Sequence, residues 1–383
     1  MFDKSQLIEE ASFSYARLET LLQESLQTQV TIQRASSQRI GEMQGFMSME
    51  WSPSDSESSQ SLPRSVVLKV PSLKNLAEFG EVVEEMKEVL DSMTGFDDFV
   101  AKAHNNECAF YRFARGREQR LRAPKCYVVE EVDVERKQMG LLVLEDLTDD
   151  GGYVKRLYDK LELPLLKEVV AAQAAFHAFS LLNDGWKEEL CLNFQDFFKQ
   201  NEKGMTEMVD RNAGMLISKF PDYFSTEMVE RLKTFRDADK HIFYAATKDE
   251  ETGEERLLAI IDWQLCHQGS GAEDLARFLC SSANSQMRRE HTAELLQHYY
   301  DCLSGEFRRE GRECLLSQGQ AVEAYRRFFK YGVLFFWGML AMMASQEELL
   351  GEEPEKGRHE LLDRTKGLLE DLYASEDNLP LPW

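Results

Sequence analysis

Four short segments carry residue types that could together bind a phosphorylated ligand. In chain order they are residues 66–70, 106–111, 142–147 and 260–264. The first holds a lysine in a β-branched run, the second a glutamate in a helical pattern, and the last an aspartate after apolar residues. A lysine ammonium binds phosphate oxygens and a carboxylate binds a divalent cation. The segments therefore predict a site for a polyphosphate and its metal.

Lys69 and Glu107 are predicted to form an ion pair. Glu107 lies on the apolar stripe of a predicted helix, together with Phe96, Val100, Ala103, Phe110 and Ala114. A charge on such a stripe is costly unless it is paired, so a lysine from a neighbouring strand is its natural partner. The alternatives are a strand lysine exposed to water and a glutamate that reaches water from the edge of the stripe.

Asp262 is the strongest single candidate for a metal ligand. It follows the apolar run 257–261 and precedes Trp263 and Gln264, with turn glycines a few residues later. A carboxylate at the end of a buried strand can bind a Mg²⁺ ion that also contacts triphosphate oxygens. The alternative is an aspartate that caps a turn.

Two further pairs of residues are candidates for nucleotide contacts. The run 141–144 predicts a buried strand, and Glu145 and Leu147 lie in a segment whose backbone could meet an adenine ring. Gly41 and Gly45 could belong to a shortened phosphate-binding loop, or equally to an ordinary hairpin.

His177 is interpreted as a core histidine and Asp274 as a hydrogen-bonding residue at a helix start.

Composition excludes several classes of function. The chain has 383 residues and a formal charge of -23, which disfavours nucleic-acid partners and anionic membrane surfaces. Its seven cysteines are scattered without a Cys-x-x-Cys pair, as expected for reduced thiols in a cytoplasmic protein. The apolar run 332–343 is too short to span a bilayer and predicts a buried helix.

The order of predicted elements indicates an α+β fold with two lobes. Residues 1–147 predict a smaller lobe with a mixed β-sheet, beginning with a helix over 4–27 and strands over 30–35 and 45–51. Residues 148–374 predict a mainly helical lobe that contains Asp262, with one strand-like segment at 257–264. Residues 375–383 are interpreted as a tail.

The motifs together resemble the CHK kinase-like (ecdysteroid-kinase-like) family, within the choline kinase and aminoglycoside phosphotransferase superfamily. The resemblance covers about residues 30–345, and its most specific parts are Ile-Ile-Asp-Trp-Gln at 260–264 and Asp-Leu-Ala-Arg-Phe-Leu at 274–279. It implies a protein-kinase-like fold, the cofactors ATP and Mg²⁺, and transfer of phosphate to a small-molecule hydroxyl. It also implies that Lys69 and Glu107 hold phosphates and that Asp262 binds the metal.

One part of the family pattern is missing. The family has a His-Gly-Asp segment with an Asn five residues after the Asp, whereas here Arg236 stands in the place of the base and His241 in that of the Asn. Asp237 and Asp239 are the remaining candidates for the base. The catalytic loop is interpreted as deleted between about residues 235 and 241, or as degenerated.

The missing segment leaves three hypotheses open. The protein is a phosphotransferase, a pseudokinase that binds nucleotide or a protein partner, or an alternatively spliced product without a nucleotide site.

Overall fold

The computed structural model describes residues 3–8, 13–32, 35–40, 46–51, 63, 65–71, 94–190, 200–232, 243–248, 255–351 and 353–376. The chain divides into two compact units. The first contains Met1–Tyr153, Trp186–Phe197 and Ile261–His267, and the second contains Val154–Gly185, Phe198–Ile260 and Gln268–Trp383. The predicted α+β class is confirmed. Asp262, which we expected in the helical lobe, lies instead in the first unit.

The first unit is built on a five-stranded sheet. Its strands are β1 (Ala35–Ile40), β2 (Phe46–Trp51), β3 (Ser65–Lys69), β4 (Cys126–Glu130) and β5 (Leu141–Glu145), in the order β1-β2-β3-β5-β4. Each of the four described strand pairings is antiparallel, where we expected a mixed sheet. The reason is that β1, β2 and β3 follow one another as neighbours, as do β4 and β5, which suits antiparallel pairing.

The start of the chain differs from the expected helix and strand. Helix α1 spans Tyr15–Leu26 and not residues 4–27, because the Ser14 side chain accepts a hydrogen bond from the Arg17 N–H and caps the helix there. The first strand begins at Ala35, five residues later than predicted. Helix α1 packs against β4, and its Leu18 and Leu22 are fully buried in the core of this unit. Burial of such a leucine contributes about 1.5–3 kcal/mol.

Two more helices complete the described part of the first unit. Helix α2 spans Phe96–Ala114 and packs against β4, and the short α3 spans Glu118–Leu121. A 3₁₀ turn, Leu147–Asp150, follows β5, and a second one, Trp263–Leu265, follows Asp262. Helix α2 and the second turn are in contact, which brings Glu107 near Asp262.

The second unit is mainly helical. Its described helices are α4 (Leu163–Leu182), α5 (Glu202–Lys219), α6 (Thr226–Leu232), α7 (Gly271–Ser282), α8 (Ser285–Arg309), α9 (Gln318–Ser345) and α10 (Pro354–Glu376). Helix α4 packs on α8, and α9 packs on both α7 and α10. A three-stranded sheet has the order β6-β7-β8, with strands Tyr153–Val154, Phe243–Lys248 and Glu255–Ile261. We had expected only the last of these strands.

Helices α4 and α9 are long and apolar enough to cross a membrane by length and composition. In their most apolar stretches, 61% and 56% of the residues are buried within the structure, as in the core helices of a folded domain. Val333, Phe336, Trp337 and Leu340, within the predicted buried run of α9, are buried. By itself, the length of these helices is weak evidence for a membrane span.

Candidate functional site

Lys69, at the end of β3, lies between two carboxylates. Its Nζ donates to Glu107 Oε2 and to Asp262 Oδ1, each at 2.5 Å. Lys69 is 8% exposed, so the contacts are shielded from water. The predicted ion pair between Lys69 and Glu107 is confirmed, and the structure adds Asp262 to it. The phosphate-holding role of the pair stays a prediction.

Glu107 connects Lys69 to the turn after Asp262. It lies on α2 among the buried residues Ala103, Phe110 and Ala114 and is itself fully buried. Its Oε1 accepts a hydrogen bond from the Trp263 N–H at 3.2 Å, while its Oε2 binds Lys69. Both carboxylate oxygens are thus hydrogen-bonded, which a buried charge requires.

Asp262 has an unusual backbone conformation. Its φ of 65° and ψ of 62° lie in the left-handed region, which non-glycine residues adopt at a cost of about 1–3 kcal/mol. The side chain makes no capping hydrogen bond to the following 3₁₀ turn, so the alternative of a turn cap is not what the structure shows. Among the described residues, its Oδ1 binds Lys69 and its Oδ2 accepts a 3.4 Å hydrogen bond from Gln264.

Helix α2 fastens the turn that carries Asp262. The Phe110 and Trp263 rings are stacked, with centroids 4.1 Å apart and an interplanar angle of 12°. Asn106 Nδ2 donates to the Gln264 carbonyl at 3.3 Å and to the Cys266 carbonyl at 2.5 Å. Lys69 and the turn are therefore positioned by one face of the same helix.

The cluster carries one negative charge in excess. One ammonium faces two carboxylates, with side chains 10%, 0% and 13% exposed for Lys69, Glu107 and Asp262. Burial by itself would lower the pKa of Lys69, but the nearby Asp262 and Glu107 carboxylates outweigh burial and raise its pKa. Burial raises the pKa of Glu107, and Lys69 opposes this rise. The lysine is thus held charged.

Glu145 and Leu147 are both engaged locally. Glu145 Oε2 accepts a hydrogen bond from the Lys125 N–H at 3.0 Å. The Leu147 carbonyl accepts from the Gly152 N–H at 2.8 Å. Their contact with an adenine ring stays a prediction.

Four other candidate residues lie outside the described residues. They are Gly41 and Gly45 of the proposed phosphate loop, and Asp237 and Asp239 of the proposed catalytic segment. Within the described parts of the chain, no group of three or more His, Cys, Asp or Glu side chains is placed to hold a metal. The six described cysteines are free thiols.

His177 and Asp274 belong to a hydrogen-bonded cluster in the second unit. His177 is buried and bonds through Nδ1 to the Tyr299 hydroxyl and through Nε2 to Asp274 Oδ2, both at 2.9 Å. The interpretation of His177 as a core residue is confirmed. The interpretation of Asp274 as a hydrogen-bonding residue at a helix start is confirmed, since it lies in the first turn of α7 and its carboxylate bonds to His177, while Ser270 caps the helix.

Sequence reasoning missed Asn106. A usable signal was present, because asparagine is unfavourable inside helices and this one immediately precedes the buried Glu107. An asparagine that lies inside a helix and does not cap it indicates a side chain that hydrogen-bonds to the backbone of another segment.

The geometry defines the class of protein. A lysine on the third strand, a glutamate on the next described helix and an aspartate after a later strand form the ion-paired centre of kinase-like folds. The chain belongs to the DUF1679 family, described as "Uncharacterized oxidoreductase dhs-27", whose profile matches residues 10–249 and 241–378. This description does not specify the CHK kinase-like family.

Among curated proteins, the chain is similar to "Uncharacterized oxidoreductase dhs-27" of Caenorhabditis elegans. The two are 25% identical over 292 residues, which is 69% of this chain and 34% of that protein. The chain thus spans about a third of the length of this relative.

Two solved structures are also similar. One is a protein from Ralstonia eutropha assigned as an aminoglycoside phosphotransferase, at 11% identity and a TM-score of 0.38 over 92% of this chain and 98% of that chain. The other is an ethanolamine kinase of Plasmodium vivax, also at 11% identity and a TM-score of 0.38, over 97% and 90%. At these values, neither likeness bears on activity.

Proposed function

We propose that this chain is a kinase-like protein of the CHK type that binds MgATP through Lys69, Glu107 and Asp262, and whose phosphotransfer is absent or severely reduced. The observation that carries the proposal is the sharing of the Lys69 ammonium between Glu107 and Asp262 at 2.5 Å each. An ammonium held in this way is oriented before a ligand arrives.

The residues fit a nucleotide with its metal. Lys69 would hold phosphate oxygens, with Glu107 orienting its ammonium. Asp262 supplies a hard oxygen donor, its side chain is 13% exposed, and the cluster has an excess negative charge that suits a divalent cation. When bound, Mg²⁺ would neutralise charge on the phosphates. The chain's own residues thus position the ligand and compensate its charge.

The missing catalytic segment supports reduced transfer. Arg236 and His241 occupy the places of the family's base and metal-binding Asn. The DUF1679 profile matches in two pieces that overlap at residues 241–249, close to this segment, which is consistent with a deletion. General-base catalysis is typically worth about 10²–10⁴-fold, so its loss would leave little turnover.

We do not extend the oxidoreductase description to this chain. Nicotinamide-binding domains use a parallel sheet and a Gly-x-Gly-x-x-Gly turn. The described strand pairings of the five-stranded sheet are antiparallel, and the sequence lacks that turn motif.

The proposal extends to location and partners. The net charge of -23 and the scattered cysteines support a cytoplasmic protein that binds neither nucleic acid nor anionic membrane. If phosphotransfer is lost, a protein partner takes the place of the small-molecule hydroxyl substrate.

Thermal or chemical unfolding with and without MgATP tests the binding site. A ligand at about 100 times its dissociation constant should raise the free energy of unfolding by about 2.7 kcal/mol. The rise should vanish in Lys69→Met and Asp262→Asn. Lys155→Met is the matched control, because Lys155 is an equally buried, ion-paired lysine in the second unit, bonded to Glu255. No rise in the natural chain, or an equal rise in Asp262→Asn, would overturn the proposal.

ATP turnover with a panel of small alcohols, including sterols and choline, tests the loss of transfer. We expect no turnover above the level of Asp262→Asn. Clear turnover that disappears in Asp237→Asn or Asp239→Asn would show an active enzyme and identify its base.

A further inference from the structure

We infer that Asn106 is a positioning residue that holds the turn bearing Asp262 in place for the metal. This inference rests on the proposed function, because it concerns the metal ligand of the same site. Asn106 is fully buried on α2, and its amide bonds to the carbonyls of Gln264 and Cys266. It acts through the backbone that follows Asp262.

The orientation of the Asn106 amide is defined by its partners. Asn106 Nδ2 lies 3.3 Å from the Gln264 carbonyl oxygen and 2.5 Å from that of Cys266. Carbonyl oxygens can only accept hydrogen bonds, so the amide NH₂ group, and not its oxygen, faces them. One donor group thereby ties two alternate carbonyls of the turn to α2. A carboxylate or an apolar side chain at position 106 could not make either bond.

The turn needs such a restraint because Asp262 is strained. A left-handed aspartate persists only where surrounding contacts determine its conformation. Within the described residues, three side chains of α2 that contact this turn are Glu107, at the Trp263 N–H, Phe110, whose ring stacks on Trp263, and Asn106, at the two carbonyls. Glu107 also binds Lys69, and Phe110 contacts the indole ring of Trp263. Asn106 does neither, so its substitution tests the restraint on the turn backbone by itself.

Asn105 provides a matched control on the same helix. Its Nδ2 donates to the Val132 carbonyl at 3.0 Å, and its Oδ1 accepts from the Val132 N–H at 2.8 Å. Asn105→Leu therefore removes two side chain-to-backbone bonds from α2, as Asn106→Leu does, but away from Asp262.

Hydrogen exchange of the nucleotide-free protein is the first measurement. In Asn106→Leu, we expect amides in residues 262–267 to exchange at least about tenfold faster, because local opening of the turn is less costly. In Asn105→Leu, the faster exchange should appear around Val132 instead. Should Asn106→Leu not fold, Asn106→Ala removes the donor without adding bulk. Unchanged exchange at 262–267 in both Asn106 variants would overturn the inference.

ATP affinity with Mg²⁺ and with EDTA is the second measurement. Changing a residue that orients a metal ligand typically costs about 10–100-fold in metal affinity. In Asn106→Leu, we expect the gain in ATP affinity that Mg²⁺ gives to fall by that factor, while the affinity measured in EDTA is unchanged. In Asn105→Leu, the gain from Mg²⁺ should persist. A natural chain that binds no MgATP would refute the proposed function, while exchange would still decide whether Asn106 holds the turn. Faster exchange with an unchanged Mg²⁺ gain would refute the positioning role.

Discussion

At the scale of single residues, the charge count of the Lys69 cluster decides which substitutions are harmful. Two carboxylates share one ammonium in surroundings that are largely shielded from water. Removal of Asp262's charge leaves a neutral pair, whereas removal of the ammonium leaves two acids without a cation. Loss of the Lys69 ammonium should therefore be far more harmful to the folded protein than loss of the Asp262 charge.

Lys69→Met should lower the free energy of unfolding by about 3–5 kcal/mol at neutral pH, as expected when one partner of a buried ion pair is lost. Asp262→Asn should change it little, since Lys69 keeps Glu107. Urea unfolding measures both, with Lys155→Met as the control for the loss of a shielded lysine.

The defect of Lys69→Met should depend on pH. Without the ammonium, burial and the like charge of Asp262 raise the pKa of Glu107 in the folded protein. A raised folded pKa gives stability that is present below the unfolded pKa and is lost as the pH rises through the folded pKa. The defect should thus shrink towards acid pH. An equal defect at all pH values would contradict this account.

His104 should make the folded protein sensitive to acid. Burial lowers its pKa from 6.5 to about 4, and its ring Nε2 bonds to the Glu130 carbonyl at 2.9 Å. A depressed folded pKa gives stability that is present above pH 6.5 and is lost as the pH falls towards about 4, here about 3 kcal/mol. Urea unfolding from neutral to acid pH should show a shallower loss in His104→Gln. The half-exposed His291 serves as control, and an equal effect of His291→Gln would contradict the assignment to His104.

At the scale of elements, single polar side chains connect helices to the strands, turns and other helices beside them. In the first unit, α2 binds Lys69 through Glu107, the turn after Asp262 through Asn106, and the Val132 backbone through Asn105. In the second unit, His177 joins α4 to α7 and α8 through Asp274 and Tyr299.

Tyr299→Phe should destabilise the second unit by about 1–3 kcal/mol, because it leaves a buried ring nitrogen of His177 without its partner. Tyr300→Phe, at the neighbouring half-buried position, should change stability by less than about 0.5 kcal/mol. Chemical unfolding of both variants checks the difference. Equal effects would mean that the hydrogen bond to His177 contributes nothing measurable.

Local patterns predicted some of these elements and not others. The stripe that placed Glu107 inside α2 is a property of neighbouring residues, so the ion pair with Lys69 could be foreseen. The start of α1 at Tyr15 depends on the Ser14 cap, and the two-residue strand β6 is too short to leave a pattern. The pattern placed Asp274 at a helix start but did not identify its partner, because His177 is 97 positions away in the chain. Such contacts depend on tertiary structure, which periodicity does not report.

At the scale of the whole molecule, the net charge of -23 opposes compaction through self-repulsion. Raising the ionic strength from about 0.01 M to about 0.15 M shortens the Debye length from about 30 Å to about 8 Å. The free energy of unfolding should therefore rise over this range, with sodium chloride and tetramethylammonium chloride acting alike. A fall would mean that surface ion pairs outweigh the repulsion.

The first unit is assembled from separated pieces of chain, and this has a consequence during translation. Glu107 and Lys69 leave the ribosome well before Ile261–His267, the last segment of their unit. At roughly 5–20 residues per second, the 155 positions from Glu107 to Asp262 take roughly 8–30 s to synthesise. For that time, the nascent chain has Phe110 without Trp263 and Asn106 without its two carbonyls. A message that ends before codon 261 would consequently yield a first unit with an apolar ring and a buried amide left open to chaperones and proteases.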